Sequence, residues 1–231
     1  MEVSLPKKLL AEGFGTFCLV FAGTGAIIIN ELSGGAVTQL GVALTFGLIV
    51  FAMIATVGDV SGAHLNPAVT FGFYLAGRFS GQAVVPYVIS QCCGAIMASV
   101  ILFALFPTHR TLGSTIPAGT AFQSLILEIL LTLILVYVIL SVTAAGKEKG
   151  ITVAITIGAV IALSALFAGP VSGASMNPAR SLAPALLSQQ LDHIWVYLLG
   201  PFLGAALSVP LCCSTRKPGC CRVPSIGGKF W

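Results

Sequence analysis

Six stretches of this sequence run for about 20 residues with almost no charge, the length a helix needs to cross the hydrocarbon core of a bilayer. They lie at Leu9–Asn30, Ala36–Val57, Gln82–Phe106, Ala121–Ala144, Ile151–Ala168 and Ile194–Cys213. No other feature narrows the fold so far. Inside a bilayer every backbone N–H and C=O must find a partner within the protein, which leaves only helices and closed barrels. Apolar runs this long are helices. Composition agrees: 57% of the 231 residues are apolar and 8% are charged, against roughly 25% charged in an ordinary globular domain. So few charges cannot cover a water-facing surface.

The net charge of +4 is distributed as in a membrane protein rather than as a nucleic-acid patch. Lys7, Lys8, Arg78, Lys147, Lys149, Arg216, Lys217, Arg222 and Lys229 fall in segments that six spans place on one side, and Arg110 falls on the other. An excess of Lys and Arg on one side marks the cytoplasmic face, so both termini are expected there, in a cell inner or plasma membrane. Ser214 to Trp231 is then a short cytoplasmic tail. Lys7 and Lys8 ahead of an apolar run resemble the start of a signal peptide. That run continues to about Ile29 with no clear small-residue cleavage site, so it reads as the first membrane helix. The seven cysteines are odd in number and several lie in apolar runs, which is no secreted disulfide framework. Cys212, Cys213, Cys220 and Cys221 form two pairs near the cytoplasmic edge. Palmitoylation, metal or metalloid capture and mere tail composition all remain open for them.

Two further apolar pieces are too short to span. One follows Asn66 and ends near Gly77, the other follows Asn177 and ends near Leu187. At 1.5 Å per residue each is roughly 16 Å long, about half of a ~30 Å core. Asn is a strong N-cap and Pro suits the first helical turn. Asn66-Pro67-Ala68 and Asn177-Pro178-Ala179 therefore predict half-helices that start deep in the membrane.

The sequence also repeats. Ser61 to Ala68 matches Ser172 to Ala179 with six identities in eight at an offset of 111 residues, and Glu12 and Glu128 sit at equivalent places in the first and fourth spans. Each repeat, about 9–106 and 121–213, holds three spans and one half-helix. Three is odd, so the second repeat enters the membrane inverted. The expected fold class is thus all-α, six transmembrane helices plus two half-helices in an inverted repeat, forming a single domain over residues 1–231.

Inversion brings the two half-helix N-termini together at the midplane. Each carries roughly half a positive elementary charge from its backbone dipoles, and two facing ends oppose cations, hydronium included. If each Asn oxygen caps its own helix, its amide NH₂ remains to donate into a pore. A passing water or hydroxyl would be oriented there and a proton wire interrupted. The loops before each Asn should be extended, with the carbonyls of Gly62, Ala63, His64, Leu65, Gly173, Ala174, Ser175 and Met176 facing the lumen, because irregular backbone at this depth must line a cavity or be buried in protein.

Ionisable residues inside a membrane cost about 2.5–3.5 kcal/mol on insertion scales and need a reason. Glu12 and Glu128 read either as proton-relay groups or, by preference, as buried acceptors supporting the loop before each half-helix. Arg180, three residues after Asn177, reads as a pore-lining donor that repels cations, with a snorkelling arginine as the alternative. His64 reads as packing or as lining through its carbonyl, since no partner for a metal is near in sequence. Neither a metal nor a cofactor is expected. Gly23, Gly25, Gly94, Gly158 and Gly204 read as close helix contacts.

These motifs closely resemble the major intrinsic proteins, the aquaporins and glycerol facilitators, over roughly residues 9 to 210. The paired Asn-Pro-Ala motifs, Arg180 and the two Glu residues carry the resemblance. It implies a right-handed six-helix bundle and a homotetramer with one pore per subunit. The runs Phe167 to Ser181 and Trp195 to Pro201 look most like the nodulin-26-like intrinsic proteins, of the bacterial type, which are similar in passing water, glycerol and neutral metalloid hydroxides. The family's outer constriction falls on Phe46, Ala165, Ala174 and Arg180. Strict water channels carry His where this chain has Ala165. Glycerol facilitators tend to carry Trp at Phe46, and acidic and basic residues at Ser181 and Ala185. Two alanines imply a wider constriction with Arg180 as its main donor. The resemblance points to a passive channel for water and small uncharged solutes such as glycerol, urea, and boric or arsenous acid, excluding ions and protons. A strict water channel and, in another class, a proton-coupled transporter using Glu12 and Glu128 stay open. A closed structural protein lacks the long external loop that adhesion would need. An enzyme is not expected, because no nucleophile, base and orienter can be assembled from so few polar residues.

Overall fold

Helix-forming apolar runs, punctuated by Gly, Pro and Asn, give eight helices among the described residues, 3–144 and 150–216, of the computed structural model. They are α1 (Leu5–Leu32), α2 (Thr38–Ser61), α3 (Pro67–Leu75), α4 (Gly81–Leu105), α5 (Ala121–Val142), α6 (Ile151–Ser172), α7 (Pro178–Ser188) and α8 (Ile194–Thr215). Six are long and apolar enough to cross a membrane, while α3 and α7 have nine and eleven residues. The order α1–α4 is repeated as α5–α8. Packing repeats with it: α1 lies against α2 and α4, and α5 against α6 and α8. Across the repeats α2 packs on α6, α4 on α7 and α3 on α8.

The polarity of the bundle is the reverse of a water-soluble one. Leu10, Phe14, Leu48, Val85, Leu163 and Phe167 are exposed, while Glu12, Thr16, Gln91, Glu128 and Arg180 are buried. Apolar side chains outward and polar ones inward is the arrangement a lipid solvent selects, because intramembrane polar groups face the bundle interior.

Two helix ends differ from the sequence expectation. Helix α2 runs to Ser61 and α6 to Ser172, each about four residues beyond the predicted end. The actual stops are Gly62 and Gly173, the residues after each helix, at φ +90° and +82°, a left-handed cap that costs glycine nothing. Pro170 leaves α6 unbroken, and Gln39 Nε2 donates to the Ala165 carbonyl in the turn before it at 2.7 Å. At the other end of the chain α8 continues through Ser214 and Thr215, so the expected tail starts later. Its residues 217–231, with Cys220 and Cys221, lie outside the described residues, as do Lys147 and Lys149.

Close helix approach is built on glycine at most of the expected sites. A Cβ at Gly94 would lie 2.0 Å from the Gly13 carbonyl oxygen, and one at Gly204 would lie 2.3 Å from that of Ile129. Gly25 differs, since a Cβ there would meet Leu102 at an ordinary 3.5 Å.

Candidate functional site

The two Asn-Pro-Ala segments start α3 and α7 as the capping argument requires. Asn66 Oδ1 accepts from the Ala68 N–H at 2.8 Å, and Asn177 Oδ1 accepts from the N–H groups of Ala179 and Arg180 at 3.1 and 3.3 Å. Their amide nitrogens hold a correction. Asn66 Nδ2 donates to the Met176 carbonyl at 2.7 Å, and Asn177 Nδ2 donates to the Leu65 carbonyl at 2.9 Å. Each asparagine therefore clamps the other repeat's loop. One amide hydrogen is used in this way, and only the second remains for a molecule in the cavity, where the sequence suggested that both stay free.

The loops feeding these caps are matched in conformation. Ala63, Leu65, Ala174 and Met176 all hold left-handed φ, between +42° and +54°. Such a φ is uncommon for residues with a Cβ and persists only where surroundings over-determine it. The surroundings are two carboxylates. Glu12 Oε1 accepts from Ser61 Oγ at 2.7 Å and the His64 N–H at 2.9 Å, and its Oε2 accepts from the Leu65 N–H at 2.7 Å and Gln91 Nε2 at 2.8 Å. Glu128 Oε1 accepts from Ser172 Oγ at 3.0 Å and the Ser175 N–H at 2.9 Å, and its Oε2 accepts from the Met176 N–H at 2.7 Å. The first repeat adds a fourth donor, Gln91, which has no counterpart at Glu128 among the described residues. Neither glutamate borders the cavity, and both are fully buried.

The cavity is bordered by α1, α2, α5 and α6 and runs past both caps. Phe46, Ala165, Ala174 and Arg180 border it together with Gly62, Ala63, His64, Leu65, Asn66, Ser175, Met176 and Asn177. Gly173 does not. It packs against Thr115, which would meet a Cβ there at 2.9 Å, so the connecting loop covers it. Pro67, Ala68, Pro178 and Ala179 are buried beside the caps rather than on the cavity wall. Arg180 Nη1 donates to the Gly113 carbonyl at 2.9 Å, and its guanidinium lies over the Phe46 ring at 5.2 Å. His64 Nδ1 pairs with Thr70 Oγ1 at 3.1 Å and its ring stacks on Phe73, so the side chain is fixed while the residue still borders the lumen.

Much of the wall escaped sequence reasoning because it is apolar. Val50 and Ile54 on α2, and Val153, Ile157 and Ile161 on α6, border the cavity in line with the expected Phe46 and Ala165. Each set is spaced by four residues, the spacing of one helix face. In a helix that is hydrophobic all round, that spacing does not separate lumen from lipid. Gln91, Tyr87 and Thr115 were also missed. Tyr87 OH donates to the Ser61 carbonyl, and Thr115 Oγ1 donates to Ser181 Oγ at 2.8 Å.

A family model described as "Major intrinsic protein" matches residues 1–211. The chain belongs to the major intrinsic protein family. Aquaporin NIP1-4 from Oryza sativa subsp. japonica is 48% identical over 207 residues, spanning 89% of this chain and 76% of the relative. Aquaporin NIP1-1 from Zea mays is 46% identical over 224 residues, spanning 94% and 79%. The X-ray structure of the aquaglyceroporin from Plasmodium falciparum superposes with a TM-score of 0.82 at 24% identity, covering 90% of this chain and 95% of that one. At that identity the superposition speaks for the fold. As a major intrinsic protein with six apolar helices, the chain is an integral multi-pass membrane protein.

Proposed function

We propose that this chain is a passive channel for water and small uncharged solutes, among them glycerol, urea and metalloid hydroxides such as boric and arsenous acid, and that it excludes ions and protons. One observation carries the reading. Two helix N-termini and two clamped asparagine amides present donors at one level of a cavity whose wall is otherwise mostly aliphatic and aromatic. A hydroxyl or water oxygen accepts from the free amide hydrogens. A cation meets two dipole ends, each worth roughly half a charge, with Arg180 further along the wall. The carbonyls of the two loops supply acceptors for the solute's own hydrogens. Passage requires no chemical step, so no catalytic group is needed.

Phe46, Ala165, Ala174 and Arg180 form the constriction in this reading. The alanines leave room on two sides, and Arg180 supplies the fixed donor. Glu12 and Glu128 hold the loops. All their described partners are donors from the structural framework, which favours support over proton coupling. The two repeats, about 9–106 and 121–213, make one channel domain, with both termini on the cytoplasmic side where the basic residues gather. The exposed apolar flanks suit a homotetramer with one pore in each subunit. The relatives named aquaporins and the width read from Ala165 and Ala174 support this account.

Stopped-flow light scattering on proteoliposomes tests it, comparing water, glycerol, urea and boric acid. Fast swelling with all four is the expected result. Fast water flux with solute flux at the level of empty liposomes would replace this reading with that of a strict water channel.

A further inference from the structure

We propose that His109, in the connection between α4 and α5, is a positioning residue for Arg180 and makes solute passage depend on acidity at that face. The proposal rests on the channel reading above and extends it to regulation of the constriction.

One hydrogen-bonded path joins His109 to Arg180. His109 Nδ1 accepts from the Leu112 N–H at 3.1 Å. That bond fixes the tautomer, because Nδ1 must be unprotonated, leaving the proton on Nε2. Nε2 lies 3.1 Å from Glu31 Oε2 at the end of α1, so the neutral ring is satisfied at both nitrogens. Leu112 and Gly113 both hold left-handed φ, +50° and +70°. Leu112 is buried between Ile28 and Leu102, and Gly113 packs on Thr24 of α1, where a Cβ would come within 2.9 Å. The carbonyl of Gly113 then accepts from Arg180 Nη1 at 2.9 Å. His109 thus holds the N–H of a left-handed turn whose next carbonyl holds Arg180.

Protonation reverses one end of this path. A charged imidazole donates from both nitrogens, so Nδ1–H faces the Leu112 N–H and the bond is lost. The compensating ion pair is with Glu31, whose side chain is 53% exposed, and exposed pairs contribute little. A buried N–H left without an acceptor is the larger effect. Among the described residues, Glu31 of α1 lies against the ring, Arg110 follows His109 in the chain, and Arg180 of α7 is connected through Gly113. The His109 N–H donates to the carbonyl of Phe106, the residue that follows α4. Freed from Gly113, the Arg180 guanidinium still lies over the Phe46 ring on the cavity wall. It therefore moves toward the lumen, and larger solutes are slowed more than water.

The test measures the glycerol-to-water permeability ratio in proteoliposomes at about pH 7.5 and about pH 5. The native protein is compared with His109→Asn, whose amide oxygen can accept from Leu112 but cannot titrate, and with His109→Leu, which has no acceptor. Acid should lower the native ratio about two- to tenfold, the range one neutral hydrogen bond supports. His109→Asn should keep the high ratio at both pH values, and His109→Leu should show the low ratio at both. A native ratio that ignores pH, or an Asn variant that follows it, overturns the proposal. Absence of glycerol flux from the native protein at both pH values would instead sink the channel reading for solutes. In that case ¹⁵N NMR of histidine-labelled protein in liposomes still decides this inference, since an Nδ1–H tautomer for neutral His109 contradicts it.

Discussion

Gly23→Ala is predicted to narrow the proposed constriction from behind. Gly23 faces Phe46, and a Cβ built at Gly23 would lie 2.1 Å from Phe46 Cε1 and 2.5 Å from Cδ1 and Cζ. Touching carbon atoms sit about 3.5 Å apart, so the ring or α1 must yield by about 1.4 Å. Phe46 borders the cavity on its other side, and the ring is the more mobile of the two. Displacement of that size is about half the diameter of a water molecule, and it falls where Ala165, Ala174 and Arg180 also close in. Glycerol flux should fall at least about tenfold, water flux by less, and the overpacking should cost about 1–3 kcal/mol of stability. Gly25→Ala is the matched control, because its Cβ would meet Leu102 at an ordinary 3.5 Å. Stopped-flow scattering on both variants, with thermal unfolding in detergent, reads the outcome. Replacing Phe46 by Leu in the Gly23→Ala background should restore glycerol flux. If Gly23→Ala and Gly25→Ala kept the same glycerol-to-water ratio, the placement of Phe46 as a wall of the constriction would be wrong.

Arg180→Val removes a unit charge worth up to about 4 kcal/mol at 4 Å in an effective dielectric of about 20, so proton leak measured with an entrapped pH dye should rise while glycerol still passes. Glu128→Gln, whichever way its amide turns, leaves either the Ser175 or the Met176 N–H facing a donor. It should lower stability by about 1–3 kcal/mol and shift the unfolding temperature in detergent accordingly. Gly94→Ala drives a Cβ into the Gly13 backbone oxygen at 2.0 Å rather than into a side chain that can turn. Its cost should reach the upper end of about 1–3 kcal/mol, seen as loss of folded protein in size-exclusion chromatography.

The half-helices were legible because their starts depend on local chemistry. Asn66 and Asn177 cap, Pro67 and Pro178 set the first turn, and the repeat marks both as one device. The ends of α2 and α6 were less legible, since an apolar run does not show which residue stops its helix. Gly62 and Gly173 set the ends. Arg180 stood out as a charge within an apolar run, but its partner did not. The Gly113 carbonyl is a backbone atom 67 residues away in the chain, and nothing in the sequence marks which carbonyl a guanidinium will find. The same holds for the crossed bonds from the Asn66 and Asn177 amides, which depend on how two repeats dock. The apolar wall of Val50, Ile54, Val153, Ile157 and Ile161 was hidden for another reason. In lipid, both faces of a helix are apolar, so hydrophobicity no longer tells inside from outside.

The central claim is that the protein lets neutral solutes equilibrate without coupling to protons. Radiolabelled glycerol uptake into proteoliposomes under an imposed proton gradient tests this most directly. The account predicts that internal glycerol rises to the external concentration and stops there, at a final level independent of the gradient. Accumulation above the external concentration that collapses when a protonophore is added would contradict it, and would make Glu12 and Glu128 coupling groups of a transporter.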